Sequence, residues 1–152
     1  MSDCIFCKIA KKEEKSYLVW EDASHIAFLS IFPNTEGVTV VIPKSHYSSY
    51  AFDLDDNVLT DLILATKKVA KLLDEKLEDV GRTAMVFEGF GVDHVHAKLF
   101  PMHGTAKKEE WKPIHSNVDK FFERYEGYIS SHDYKLADPT TLENTLKKIC
   151  AE

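Results

Sequence analysis

The stretch from Asp53 to Leu77 constrains the fold most, because its apolar residues leave one face that must be buried against something. Val58, Leu59, Leu62, Ile63, Val69, Ala70, Leu73 and Leu77 recur at three- and four-residue intervals, the pattern of a helix with a single apolar stripe. Asp53 is placed as its N-cap, Asp55 and Asp56 fall in the first turn, and lysines gather toward the end, the order a helix dipole favours. Gly81 lies beyond the stop. Such a helix needs a partner surface, and the flanking sequence supplies strands. Tyr17–Trp20, His25–Leu29 and Val38–Ile42 are β-branched or aromatic runs separated by Glu21-Asp22, Pro33-Asn34 and Glu36-Gly37. They predict a meander closed by Pro43.

Beyond the helix, Thr83–Phe87 and His94–Phe100 predict two more strands, joined by a Gly89-Phe90-Gly91 turn. Val118, Phe121, Phe122 and Tyr125 suggest a second helix with Ser116 as its cap. Asp138-Pro139 opens a third, since Asp at the N-cap and Pro at the first helical position are both favoured. The expected fold is α+β: a five-stranded antiparallel sheet with one long helix and additional C-terminal helices. Residues 1–152 are expected to form a single domain, with a core over about 2–102 and a helical extension over about 103–152.

The informative stretch is Asp93-His94-Val95-His96-Ala97-Lys98-Leu99-Phe100. Alternate side chains of a strand share a face, so His94, His96 and Lys98 point one way and Val95, Ala97 and Leu99 into the core. A neutral imidazole offers a ring nitrogen for attack at phosphorus near neutral pH. A cation such as Lys98 disfavours protonation of His96 and offsets charge gathering on phosphoryl oxygens. His94 either orients the site or binds a metal. The trio also fits two histidines merely decorating a half-exposed strand, and the residues alone leave both readings open. Cys4-x-x-Cys7 points to metal or redox chemistry before it points to a disulfide. Cys150 stands far from both and reads as a lone thiol.

Three segments together, Cys4-Ile5-Phe6-Cys7-Lys8-Ile9, Val40-Val41-Ile42-Pro43-Lys44-Ser45-His46 and His94-Val95-His96, resemble the histidine-triad (HIT) superfamily of nucleotide-binding proteins in order and spacing. The resemblance covers roughly Ser2 to Met102. It implies that His96 takes a nucleotidyl group transiently, with His94 and Lys98 beside it in the catalytic group. It implies an apolar base slot at Phe6, Ile9, Phe28 and Ile31, residues that would otherwise be ordinary core, and a homodimer. Members carrying C-x-x-C imply a structural zinc, one per chain, on Cys4, Cys7, His46 and His94, a closed tetrahedral donor set. A redox pair would need a preceding strand, for which three residues leave no room. Two unliganded thiols are the remaining alternative.

Several positions depart from the family pattern. Lys98 stands where the third histidine of the triad belongs, and its high reference pKa makes it a poor proton shuttle. Ser30 replaces the acidic residue that grips the ribose, Val38 a frequent histidine and Phe87 an Asn. The loop Glu88 to Asp93 lacks a Gly-Gln-Ser type segment. The expected activity is hydrolysis of a nucleoside phosphate, phosphoramidate or dinucleoside polyphosphate through a phospho-His96 intermediate. A nucleotide-binding or sensor module with weak catalysis and a nucleotidyl transferase are the alternatives.

A formal net charge of −6 argues against broad nucleic-acid binding, which relies on Lys and Arg excess. No apolar run approaches the ~18 residues that span a bilayer. The first residues carry neither a basic nor an apolar signal region, so a cytoplasmic protein with a small-molecule ligand is expected. His25, His103, His115 and His132 are read as surface residues, with His103 near enough in sequence to reach the rim of the site.

Overall fold

The computed structural model describes residues 3–106, together with 117–118, 121–125 and 140. The chain divides into two compact units, Met1–Trp111 and Lys112–Glu152, and the first carries the sheet. Val118, Phe121, Phe122 and Tyr125, expected to carry a second helix, lie in bends and irregular backbone instead, and the third helix expected after Asp138 falls outside the described residues apart from Thr140, which is helical.

In chain order the elements are α1 (Ile5–Ala10), β1 (Leu18–Glu21), β2 (His25–Leu29), β3 (Thr39–Pro43), a 3-10 turn (Ala51–Asp53), α2 (Asp56–Lys76), β4 (Val80–Val86) and β5 (Ala97–His103). The five strands form one antiparallel sheet in the order β1-β2-β3-β5-β4. The α+β class and the meander are thus as expected. The chain leaves the meander through α2, lays β4 at the far edge, and returns through β5 to fill the gap beside β3.

The period-2 alternation gives each face of the sheet its own core. Ala27, Val41, Val95, Ala97 and Leu99 meet the α2 stripe of Leu62, Ala65, Val69 and Leu73. Ile26, Phe28, Val40 and Ile42 form a second cluster with Ile9 of α1, against which Phe6 and Ala10 pack. β3 is covered on both faces and every one of its residues is buried, so it reads as continuous hydrophobicity rather than alternation. No helix among the described residues is long and apolar enough to cross a membrane.

Four local expectations are corrected. Asp53 lies in the 3-10 turn; Asp55 holds the capping position of α2, and its side chain makes no capping hydrogen bond. β4 begins at Val80, ahead of Thr83, and Gly81 lies inside it at an irregularity between Val80 and Thr83. The N–H groups of Gly81 and Arg82 there both donate to Thr105 Oγ1, each at 3.1 Å, which satisfies the donors a bulge frees from the ladder. His25 is buried rather than at the surface: its backbone N–H donates to Asp22 Oδ1 at 2.7 Å, and its ring Nδ1 lies 3.3 Å from the same oxygen. Finally, β5 starts at Ala97, not His94.

That last difference locates the site. Pairing between β3 and β5 ends at Val41↔Ala97. Upstream, the Val95 N–H donates to Tyr47 O at 3.1 Å and the His94 N–H to Val92 O at 2.9 Å. The strands part where the two histidines enter.

Candidate functional site

α1 was not anticipated by periodicity, being only six residues long. A helix this short is marginal by itself; burial of Ile9 and packing of Phe6 on the β2–β3 face hold it. Its end is a Schellman arrangement: the Lys12 N–H donates to Ile9 O at 3.0 Å and the Glu13 N–H to Lys8 O at 2.9 Å, with Lys12 at φ 63°. Cys7 follows Cys4 by three positions, a spacing that puts both sulfurs on one side of the first turn.

Those sulfurs flank one imidazole. His94 Nδ1 lies 3.5 Å from both Cys4 Sγ and Cys7 Sγ, and His46 Nδ1 lies 3.4 Å from Cys7 Sγ. The four ligand atoms all lie within 4.8 Å of one another, and among the described residues this group can hold a metal ion. Bond lengths of about 2.3 Å to sulfur and about 2.0–2.1 Å to nitrogen, closed at tetrahedral angles, require a sulfur–nitrogen separation of about 3.6 Å. The cluster is therefore close to metal-binding geometry. The ring is also oriented for it, because His94 Nε2–H donates to Pro43 O at 2.9 Å, which leaves the Nδ1 lone pair toward the sulfurs. Burial, and then the Cys4 thiol beside it, push the Cys7 thiol above its ordinary range; a bound cation reverses that balance.

His96 is oriented by the same segment. Its Nδ1 lies 2.7 Å from His94 O, and a carbonyl only accepts, so Nδ1 carries the proton and Nε2 the lone pair. Its ring stands edge-on to Phe6, with centroids 5.1 Å apart. Burial holds His96 below the ordinary histidine range, against the raising effect of the His94 carbonyl; Lys98 adds to the depression and Glu88 opposes it. The expectation that Lys98 keeps the nucleophile neutral is thus secondary to desolvation. Burial likewise holds His94 low, with the Pro43 carbonyl working against it.

Lys98 lies on the same sheet face, opposite Val40 of β3 and Val86 of β4. Its ammonium is paired with Glu88 Oε1. Glu88 is the site residue that sequence reasoning missed, since nothing local tells a loop glutamate ten positions upstream from any other surface acid. Gly89 adopts φ +61°, and a Cβ there would stand 2.4 Å from Ser49 O. The Ser49 N–H donates to Asp93 Oδ1 at 3.0 Å. The Glu88–Asp93 loop is thereby seated on the segment after His46.

The four apolar positions divide. Phe6 touches both histidines, with ring centroids 6.0 Å from His94, and stacks edge-on with Phe28 at 5.5 Å. Ile9 and Phe28 are buried behind it. Ile31 lies apart, 69% exposed. His103 does not reach the rim: it closes the far end of β5, with Nδ1 2.6 Å from Asp79 Oδ1 and Nε2 donating to Glu36 O at 3.0 Å. His115 and His132 lie outside the described residues.

These features describe a small α+β protein with an oriented imidazole next to four side chains that could together hold a metal ion. The chain belongs to the HIT family, whose domain model matches residues 11–105. It is 33% identical to an adenosine 5'-monophosphoramidase of Candida albicans, over 82% of this chain and 88% of that protein. It is 36% identical to a HIT-like protein of Mycoplasma pneumoniae, over 68% of this chain and 74% of the other. Among solved structures it is similar to a Streptococcus mutans protein, with a TM-score of 0.67 and 27% identity over 98% of this chain and 84% of that one. A HIT-family protein of Bacillus subtilis matches with a TM-score of 0.61 and 26% identity over 99% of both chains.

Proposed function

We propose that this protein is a nucleotide phosphohydrolase that acts on a nucleoside phosphate, phosphoramidate or dinucleoside polyphosphate through a covalent phospho-His96 intermediate. The observation that carries the reading is the fixed tautomer of His96: a buried ring whose Nδ1–H is held by His94 O presents Nε2 as an unprotonated nucleophile. The Nε2 lone pair bonds to phosphorus as the leaving group departs with its electron pair. Water then attacks the phosphorus of the adduct and returns the electron pair to Nε2. His94 contributes by its carbonyl, which holds the nucleophile, and Lys98 by placing positive charge near the phosphoryl oxygens.

Phe6 offers a face for the base, with Ile9 and Phe28 as the floor behind it. Ile31, given its exposure, serves only if substrate or a second subunit covers it. Cys4, Cys7, His46 and His94 hold one zinc, whose contribution is structural: it ties α1, which carries Phe6, to the segment carrying His96. The family relation supports a homodimer, and a fold of this type with reduced cysteines supports a cytoplasmic location. Residues 2–102 are the working core and 103–152 an extension of the same domain. The names of the yeast relatives, adenosine 5'-monophosphoramidases of 33% to 38% identity, support a small nucleotide as substrate.

The pairing of Lys98 with Glu88 favours a second reading, a nucleotide-binding module with weak turnover, because an engaged ammonium is less available to phosphate. Intact-mass spectrometry of wild type and His96→Ala after brief incubation with adenosine and guanosine polyphosphates and phosphoramidates separates the two. A nucleotidyl adduct and released product that depend on His96 are expected. Wild-type turnover in His96→Ala would eliminate the mechanism. Thermal protection by the same ligands without adduct or product would establish the binding module. Strong acceleration by inorganic phosphate would indicate transfer to an acceptor other than water.

A further inference from the structure

The pair formed by Lys98 and Glu88 is a built feature rather than a chance surface contact. The Glu88 carboxylate side chain is only 16% exposed and the Lys98 side chain 34%. Lys98 is fixed in mid-sheet by pairing with Val40 on one side and Val86 on the other. Glu88 is fixed by its neighbour: Gly89 sits in the left-handed region with its Cα against the Ser49 carbonyl, and Asp93 fastens the other end of the loop to the Ser49 N–H. A negative charge is therefore bonded to the cation that stands two residues along the chain from the nucleophile.

We propose that Glu88 is a specificity-determining residue that selects leaving groups by charge, favouring a protonated amine nitrogen over an anionic phosphate. This rests on the hydrolase reading of His96. A phosphoramidate reacts in its dipolar form, with the proton already on the leaving nitrogen and negative charge on the phosphoryl oxygens. The Lys98–Glu88 couple is the complement of that dipole: the ammonium meets the oxygens and the carboxylate meets the nitrogen. As His96 Nε2 bonds to phosphorus, the P–N bond breaks, its electron pair stays on nitrogen, and a neutral amine leaves with the proton it brought. With ADP the P–O bond breaks instead and inorganic phosphate leaves carrying additional negative charge toward Glu88. Like charge in a partly desolvated site is a repulsive element of the kind that specificity uses.

The test is the ratio of kcat/KM for adenosine 5'-phosphoramidate to that for ADP, in wild type and Glu88→Gln. The variant keeps the shape and removes the charge. The ratio is expected to fall by about tenfold or more, equivalent to about 1.4 kcal/mol of differential stabilisation, because the phosphoramidate loses more than ADP does. Equal losses on both substrates would show that Glu88 only supports the fold and would overturn the proposal. Should Glu88→Gln fail to fold, Glu88→Ala is read the same way. Binding separates this inference from the hydrolase reading. Dissociation constants of the two nucleotides are measured by calorimetry in His96→Ala with and without Glu88→Gln. If the wild type turns over neither compound, a Glu88-dependent preference for the phosphoramidate in these binding data would retain the charge selection and discard hydrolysis. Failure of the wild type to bind or turn over either compound would discard both.

Discussion

Gly89→Ala tests the connection between backbone geometry and the site. Gly89 has φ +61°, and an added Cβ would lie 2.4 Å from Ser49 O and 3.1 Å from Ser49 C. An L-residue in the left-handed region costs about 1–2 kcal/mol. The contact adds about 1–3 kcal/mol of overpacking, because the obstructing atoms are backbone and cannot rotate away. The expected destabilisation is about 3 kcal/mol, which in a chain of this size lowers Tm by about 6–12 °C. Two other glycines serve as controls. Gly104 has φ +83° but open space around its Cβ position, so Gly104→Ala should show only the conformational cost, about 1–2 kcal/mol. Gly91 has neither constraint, and Gly91→Ala should be neutral or stabilising by up to about 1 kcal/mol. Urea denaturation at a fixed pH reads all three, with the midpoint taken at constant m-value. Equal losses at positions 89 and 104 would refute the claim that the Ser49 carbonyl obstructs a side chain, and with it the seating of the Glu88 loop. Turnover should separate them further, since only Gly89→Ala displaces Glu88 from Lys98.

Three further outcomes are expected. Purified without chelator, the protein should contain about one zinc per chain. Cobalt exchange should give the thiolate charge-transfer absorbance of a tetrahedral site, absent in Cys7→Ala; a wild-type protein that takes up no cobalt would refute the donor set. The His103 ring is raised above the ordinary histidine range by the Glu36 carbonyl and then by Asp79, while its hydrogen bond to His103 holds Asp79 below the carboxylate range despite some opposing desolvation. A raised histidine contributes stability in full below its unfolded value of about 6.5 and loses it as pH climbs through the folded value. The depressed aspartate contributes above about 3.9 and loses it as pH falls through its folded value. An NMR titration of His103 with its midpoint no higher in wild type than in Asp79→Asn would contradict the pairing. Leu62 is fully buried among the α2–sheet core residues, so Leu62→Ala should cost about 2–5 kcal/mol in urea denaturation, and a loss below about 1 kcal/mol would mean that the core there is not packed as described.

Much of the site was legible because strand alternation is a local rule. It put His94, His96 and Lys98 on one side and Val95, Ala97 and Leu99 on the other, and the structure keeps that division. The long helix was legible for the same reason: its stripe of Leu62, Val69 and Leu73 survives any uncertainty about its ends. The cap at Asp53 was misplaced because Asp53, Asp55 and Asp56 offer the same chemistry within one turn, and the intervening 3-10 turn leaves no periodic trace.

The sequence by itself determined the α+β class, the two faces of each strand, and the donor types available to a metal and to phosphate, since all of these follow from side-chain chemistry at short spacing. Tertiary structure decided the rest. It placed β5 between β3 and β4, drew Cys4 and Cys7 to a histidine almost ninety positions away, and buried His25. It fixed the tautomer of His96 through a carbonyl two residues back and joined Glu88 to Lys98. Each depends on which segments meet once the chain has closed on itself, and on the desolvation that follows, neither of which a local pattern records.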